Sequence, residues 1–385
     1  MITVKILFWI SIFMIFWANI GYPISILILG KIIKRKNKTI VNNEKSISII
    51  ITAHNEEKII QQKLENVISL DYPKEKVEII VTSDNSTDKT NEIVKEFIKN
   101  HPTENIKLYK VKKRMGKTNA QNEAVKIAQN DILVMTDANA IIKNDAIREL
   151  VKSFSENISY VTGKLEYING DLSETSNSEK QYWDLDTKIR DIESNIQTIT
   201  AGNGALYACI RKEYYNFKPM QCHDSAMPLY YALNGKRAIA NHKAIAYEKA
   251  GENTKDEYKR KARMSRIVLS SILPSIKILN VFKYKWFTYF YLGHRTSRYL
   301  LWFNHIMLLI TNLVLYNQGK IYIISLIFQS IFYIIAIAKQ LTNLNNTIIN
   351  IIYYYCMTII AQTKGVINTI IGKNKPFWEK AESTR

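Results

Sequence analysis

Apolar residues are distributed in two ways along this chain: they run together at both ends and alternate with polar positions in the middle. From Ile6 to Leu29 there is no charged residue, a stretch long enough to cross a hydrocarbon core, which takes about 20 apolar residues. It exceeds the h-region of a signal peptide, about 7–15 residues, and no A-x-A-like cleavage site follows it. Three further apolar runs, Tyr299–Tyr316, Tyr322–Ala338 and Thr347–Ala361, lie toward the C-terminus. The third is softened by Asn350 and the Tyr353-Tyr354-Tyr355 triplet.

In the middle, strand-like and helix-like stretches alternate. Ser46–Ile51, Val77–Val81, Ile106–Val111 and Asp131–Met135 are short runs rich in β-branched residues. Between them, Glu56–Leu70, Thr87–Lys99 and Gly116–Gln129 carry helical spacing, with Ile59, Ile60, Leu64, Val67 and Ile68 as one example. Strands separated by helices of this length predict βαβ units and a mainly parallel sheet with helices on both faces. Right-handed crossovers gather the loops after each strand on one rim, where open α/β sheets bind ligands.

The four rim loops are polar: Thr52-Ala53-His54-Asn55-Glu56-Glu57, Ser83-Asp84-Asn85-Ser86-Thr87-Asp88, Lys112-Lys113-Arg114-Met115-Gly116-Lys117 and Thr136-Asp137-Ala138-Asn139. Each alone fits a helix cap, but one sheet edge collects all four. Gly116-Lys117-Thr118 is not a P-loop, because the position that requires the first glycine is Val111. No GxGxxG follows the first strand, which argues against a dinucleotide fold.

Charge sharpens this picture. Lys plus Arg total 53 against 34 Asp plus Glu, a formal net charge of +19, which suits an anionic partner. A genome biased toward Ile, Lys and Asn accounts for a bulk excess equally well, so clustering carries more weight. Lys31, Lys34, Arg35, Lys36 and Lys38 follow the first apolar run, and the positive-inside rule puts that flank and the domain after it in the cytoplasm. Between Lys255 and Arg298, Arg260, Lys261, Arg263, Arg266, Lys277 and Lys283 alternate with Trp286, Phe287, Tyr289 and Phe290. Set between a soluble region and apolar runs, this texture reads as interfacial helices on anionic lipid, and no nucleic-acid partner is expected. Three crossings after a cytoplasmic domain would leave the basic tail outside, so one run is re-entrant or a further crossing lies upstream. With three cysteines and no CxxC pair, neither a disulfide framework nor a zinc site is expected.

Asp84, Asp137 and a basic loop ending in Lys117 suit a nucleotide diphosphate held with Mg²⁺ or Mn²⁺, hard cations that take carboxylate and phosphate oxygens. Asn139, two residues beyond Asp137, would present a second oxygen to the same side of a strand. Asp224 begins a predicted helix and, taken alone, reads as an N-cap.

In order and spacing, IIITAHNEE (Ile49–Glu57), VTSDNSTDKT (Val81–Thr90), KRMGKTNA (Lys113–Ala120) and VMTDANA (Val134–Ala140) resemble a family 2 glycosyltransferase of GT-A fold. The branch it resembles is the membrane-embedded one of cellulose and hyaluronan synthases, and the likeness extends through AGNGALYACIR (Ala201–Arg211) to a Gly372…Trp378…Arg385 tail. The resemblance implies roles residue by residue. Asn55, Glu56 and Asp84 would bind the donor's base and ribose, and Lys117 would approach the donor. Asp137 would match the first acid of the DxD metal motif, with Asn139 standing where the second acid is usual. Gly202, Asn203 and Gly204 would line the acceptor side, and Asp224 would be the catalytic base. Arg260 and Arg263 stand in for the Gln-x-x-Arg-Trp motif, with Gln and Trp both replaced.

The implied organisation is a transmembrane helix over 1–30 and a cytoplasmic GT-A domain over 40–254. Basic, aromatic interfacial helices over 255–298, transmembrane helices over 299–364 and a basic tail over 365–385 complete it. The implied activity is inverting transfer of a sugar from a nucleotide-sugar, with UDP the expected carrier, to a polysaccharide or lipid-linked acceptor at the cytoplasmic membrane face, with polysaccharide export components as possible partners. The Asn139 and Met264 departures also fit a catalytically silent scaffold.

Overall fold

The computed structural model describes residues 1–33, 44–169, 174–249, 254–342, 344 and 346–377. Lys34, Arg35, Lys36, Lys38, Trp378 and Arg385 lie outside the described residues. An apolar helix, α1 (Ile2–Ile32), opens the chain, with one π-helical turn at Trp17–Gly21. Then β1 (Ile47–Ala53), α2 (Ile60–Ile68), β2 (Val77–Ser83), α3 (Thr90–Asn100), β3 (Ile106–Lys110), α4 (Lys117–Ile127) and β4 (Ile132–Asp137) follow in the expected alternation. β5 (Ile141–Ile142), α5 (Ala146–Val151), β6 (Ile158–Tyr167), α6 (Glu174–Ile196), β7 (Leu206–Ile210), α7 (His223–Leu233) and β8 (Arg237–Glu248) complete the domain.

All eight strands form one sheet in the order β3-β2-β1-β4-β7-β6-β8-β5. β3, β2, β1 and β4 run parallel. β7 then pairs antiparallel with β4 and β6, β6 with β8 is parallel, and β5 is antiparallel to β8. The parallel half is the α/β sheet expected, and the other half is mixed. Both faces are covered: Ile49, Ile51 and Val134 join one apolar core, Ile50, Leu133 and Met135 the other. A strand buried on both faces loses its polar positions, which is why β1 reads as an almost unbroken apolar run.

Register places the rim. Ala53 pairs with Ser83, Thr52 with Asp137, and Ser83 with Lys110, so the loops leaving the four parallel strands emerge side by side.

Beyond the sheet come α8 (Thr254–Met264), α9 (Trp286–Tyr299), α10 (Leu301–Gln318), α11 (Lys320–Leu341) and α12 (Thr347–Ile370), with short helical turns between α8 and α9. α1 and α11 are long and apolar enough to cross a membrane, and α9 with α10 form a broken pair bent by 59°. The run beginning at Tyr299 is therefore one limb of a bent unit. The basic, aromatic stretch divides: Phe287, Phe290 and Tyr291 are buried, whereas Ile276 and Phe282 stand exposed.

Candidate active site

The first two rim loops are latched together. Asn55 sits at φ 55°, a left-handed conformation that Asn tolerates because its short side chain bonds locally. Its Oδ1 accepts from the Thr87 amide at 2.7 Å and its own amide donates to Ser86 Oγ at 3.1 Å. The Glu56 amide donates to Thr90 Oγ1 at 2.7 Å, and Glu56 is buried. Asp84 bonds to the third loop: its carboxylate accepts from the Met115 amide at 3.1 Å and the Gly116 amide at 2.8 Å. Gly116, at φ +89°, begins α4 and delivers Lys117. Asp84 thus aims the basic loop from one side, while Pro376 packs against Gly116 and Phe377 lies 4.7 Å beneath the Arg114 guanidinium on the other.

Lys117 is the hub. Its Nζ is 2.5 Å from Asp137 Oδ1 and donates to the Gly204 carbonyl at 2.9 Å. Burial pulls its pKa down, but the charges of Asp137 and Asp224 outweigh that and hold the ammonium above the usual lysine range. A Cβ built on Gly204 would lie 2.9 Å from Lys117 Nζ and 3.9 Å from both Asp137 Oδ2 and Asp224 Cγ. The two carboxylates therefore border one small space floored by Gly204, where any side chain would intrude.

Asp137 is the last residue of β4, and Ala138-Asn139 is a turn. The two-residue spacing thus crosses a turn and not a pleat, so strand periodicity does not aim Asn139. Asp224 lies in the first turn of α7, where a negative charge is stabilised by the helix dipole; the N-cap is Cys222, whose side chain makes no capping bond. The Asp224 backbone carbonyl accepts from the Gly202 amide at 2.7 Å. Gly202 packs on the Tyr160 hydroxyl with no room for a Cβ. The Asn203 side chain turns inward, Oδ1 accepting from the Ala205 and Leu206 amides at 3.1 and 3.2 Å and Nδ2 donating to the Gly163 carbonyl. Asn203 shapes the loop and offers its functional group to the fold, not to the cleft.

Comparison with known proteins adds to this geometry. Residues 48–215 match the family described as Glycosyl transferase family 2. The chain carries a family 2 glycosyltransferase domain. The domain is similar to a dolichyl N-acetyl-alpha-D-glucosaminyl phosphate 3-beta-D-2,3-diacetamido-2,3-dideoxy-beta-D-glucuronosyltransferase of Methanococcus voltae, 38% identical over 130 residues, 34% of this chain and 40% of that one. It is also similar to a poly-beta-1,6-N-acetyl-D-glucosamine synthase of Staphylococcus epidermidis, 37% identical over 119 residues, 30% of this chain and 28% of that one. The chain thus spans less than half the length of these curated relatives. Among solved structures, a mannosyltransferase from Pyrobaculum calidifontis in complex with GDP-Man and Mn²⁺ superposes with TM-score 0.73 at 19% identity, covering 96% of this chain and 100% of that one. The fold is accordingly GT-A-like.

Around this cleft lie groups that the sequence alone did not single out. Arg266 follows Arg260 and Arg263 at a spacing of three, and its Nη2 sits 3.6 Å from Cys222 Sγ beside Asp224. Burial, with Arg260 and Arg266 nearby, pushes the Arg263 guanidinium down to about 10, partly countered by Asp137. These mutually repelling cations prefer an anion between them. Arg260 itself is engaged by Glu257 at 2.7 and 2.9 Å. Burial, aided by Asp224, pushes the Cys222 thiol above its usual range, which makes a poor nucleophile. Lys63, fully buried, donates to Thr136 Oγ1 at 2.9 Å and to the Ala140 carbonyl at 2.5 Å, bracketing the Asp137–Asn139 turn from below. The signal for Lys63 was its place on the apolar face of α2, one turn after Ile59 and Ile60.

Among the described residues, no group of three or more His, Cys, Asp or Glu side chains is arranged to hold a metal by itself. The donor set is one carboxylate, Asp137, whose Oδ1 faces Lys117 and whose Oδ2 faces the cleft. That fits a hard cation completed by substrate phosphate and water, and does not fit an all-protein cage.

Proposed function

We propose that this protein is an inverting glycosyltransferase that moves a sugar from a nucleoside-diphosphate carrier to a saccharide or lipid-linked hydroxyl at the cytoplasmic membrane face. The observation that carries the reading is the shared space above Gly204, bordered by Asp137, Asp224 and Lys117. Asp224 takes the proton of the acceptor hydroxyl as that oxygen forms a bond to the anomeric carbon. The bond from that carbon to the diphosphate oxygen breaks, and the electron pair leaves with the diphosphate. Lys117, Arg263 and Arg266 face the departing negative charge. A divalent cation held by Asp137, with Asn139 beside it, would supply further charge to the diphosphate. Asn55, Glu56 and Asp84 shape the loops that take the nucleoside, and Gly204 leaves space for the acceptor, with Gly202 holding the loop against Tyr160.

UDP is the carrier we propose; the Pyrobaculum calidifontis neighbour is in complex with GDP-Man, so both serve as probes. The apolar helices α1 and α11 and the basic flank after α1 support membrane association with the domain inside. The test is transfer or donor hydrolysis by the chain in detergent, with UDP- and GDP-sugars and Mn²⁺. Asp224→Asn and Asp137→Ala should each lose about 100-fold or more in turnover while retaining the fold, the range seen when a positioned proton acceptor or charge-stabilising group is removed. Full activity in both variants overturns the site.

The Lys117–Asp137 ion pair and Asn139 also favour a second reading, a silent scaffold that binds nucleotide without turnover. Titration with UDP and Mn²⁺ against the turnover assay separates the two.

A further inference from the structure

Behind the cleft, a set of ionisable side chains is enclosed where three helices meet. α6 contributes Asp186, Arg190 and Glu193, all buried and at a spacing of four and three that puts them on one helix face. α9 contributes buried His294, with Arg298 at the margin, and α1 contributes buried Tyr22. The contacts are continuous. The Tyr22 hydroxyl donates to Glu193 Oε1 at 2.6 Å. His294 Nδ1 lies 2.8 Å from the same oxygen, and His294 Nε2 lies 3.0 Å from Asp186 Oδ1. Arg190 Nε is 2.6 Å from Asp186 Oδ2, and Arg190 Nη1 donates to the Gly202 carbonyl at 2.6 Å. The Gly202 amide in turn donates to the Asp224 carbonyl at 2.7 Å.

Burying so many charges costs desolvation that an apolar seam would avoid, and such pairs are often retained for the geometry they impose. Here the geometry is that of the loop flooring the cleft. Burial opposes the Asp186 charge, but Arg190, His294 and Arg298 outweigh it and hold that carboxyl well below the usual range. Close packing reinforces the seam, because Gly293 lies directly against the Tyr22 ring and admits no Cβ.

We infer that Arg190 is a positioning residue for the Gly202–Gly204 loop, and through it for Asp224, and that the chain of side chains from Tyr22 to Arg190 makes the seating of the first apolar helix a determinant of that loop's geometry. The inference deepens the glycosyl-transfer reading and rests on it for the role of Asp224. Its structural half is independent.

The test uses the full chain in detergent with Arg190→Met, Arg190→Lys and Tyr22→Phe. Amide hydrogen exchange of residues 200–206 is compared with that of the β1 segment 47–53. Exchange at 200–206 should rise about tenfold in Arg190→Met and about threefold in Tyr22→Phe, with 47–53 unchanged, the scales expected for a charged and a neutral hydrogen bond. In turnover, kcat should fall about tenfold in Arg190→Met with the donor KM within about twofold, and Arg190→Lys should recover part of kcat, because the lost interaction positions chemistry and not the donor. Unchanged exchange at 200–206 in both Arg190→Met and Tyr22→Phe overturns the inference. So does a rise shared equally by 47–53, which would mark global loosening. If Arg190→Met does not fold, Arg190→Lys and Tyr22→Phe carry the same comparison. Exchange is read without substrate, so it stands even where no donor gives turnover.

Discussion

Lys63 places an amine under the Asp137–Asn139 turn, and burial drives its pKa down to about 7 against the partial support of Asp137 and Glu248. A neutral amine still has the two N–H groups that Thr136 Oγ1 and the Ala140 carbonyl require. The unfolded chain keeps the lysine proton up to about 10.5, so between those values it binds more protons and stability rises with pH. Lys63→Met should flatten that rise in thermal unfolding measured from about pH 7 to 10, and cost about 1–3 kcal/mol by leaving two buried acceptors without their donor. His223 behaves in the mirror range. Burial, with Lys117 nearby, pushes its imidazole down to about 3, and it packs neutral against Tyr214 and Gln121. The unfolded chain gains a proton near pH 6.5, so stability is lost as pH falls from there toward 3. His223→Gln should show a shallower acid limb in the same measurement, and an unchanged limb would assign that loss to other groups. Asp84 and Asp137 were legible as rim residues because parallel strands end on one edge. Arg190 was not, because a charged residue on a helix face announces its burial only when the partner strands and loops are in place, and Lys63 left only the signal of its place among the apolar residues of α2.

At the scale of elements, the four parallel strands and the helices between them follow the sequence pattern to within a few residues. Runs such as Ile47–Ala53 are buried on both faces, which leaves a strong local signal. The mixed half of the sheet was less legible. β6 bends through two register shifts against β8, and β5 has only two residues, so neither shows sustained alternation. The loop Gly202–Gly204 illustrates the limit: small residues suggested close approach, but only the assembled fold shows that Tyr160 fills the space beside Gly202 and that Asn203 bonds inward. Gly202→Ala should therefore lower turnover by tenfold or more and cost about 1–3 kcal/mol, the usual range for forcing a methyl group into packed space. Chemical denaturation and a transfer assay on one preparation would check both, and wild-type values in both would remove Gly202 from the account.

Across the whole molecule, α1 touches both the globular domain, through Tyr22, Ile26 and Ile189, and α10 with α11, through Phe8, Leu308, Leu315 and Tyr322. The apolar runs were legible from composition. The 59° bend between α9 and α10 was not, since Leu300 at the break differs little from its neighbours in hydropathy. Gly293→Ala, at the crossing of α9 and α1, should lower the thermal midpoint by several degrees in detergent, because about 1–3 kcal/mol of overpacking falls on a seam where the first helix is seated. A midpoint within a degree of wild type would mean that the crossing yields freely. The closing stretch of described chain, Asn374 to Phe377, returns from α12 to rest on the loop that Asp84 aims. Trimming the polypeptide past Gly372 would thus leave every strand intact yet uncover Arg114 and Gly116, and a purification handle attached there would compete for the same ledge.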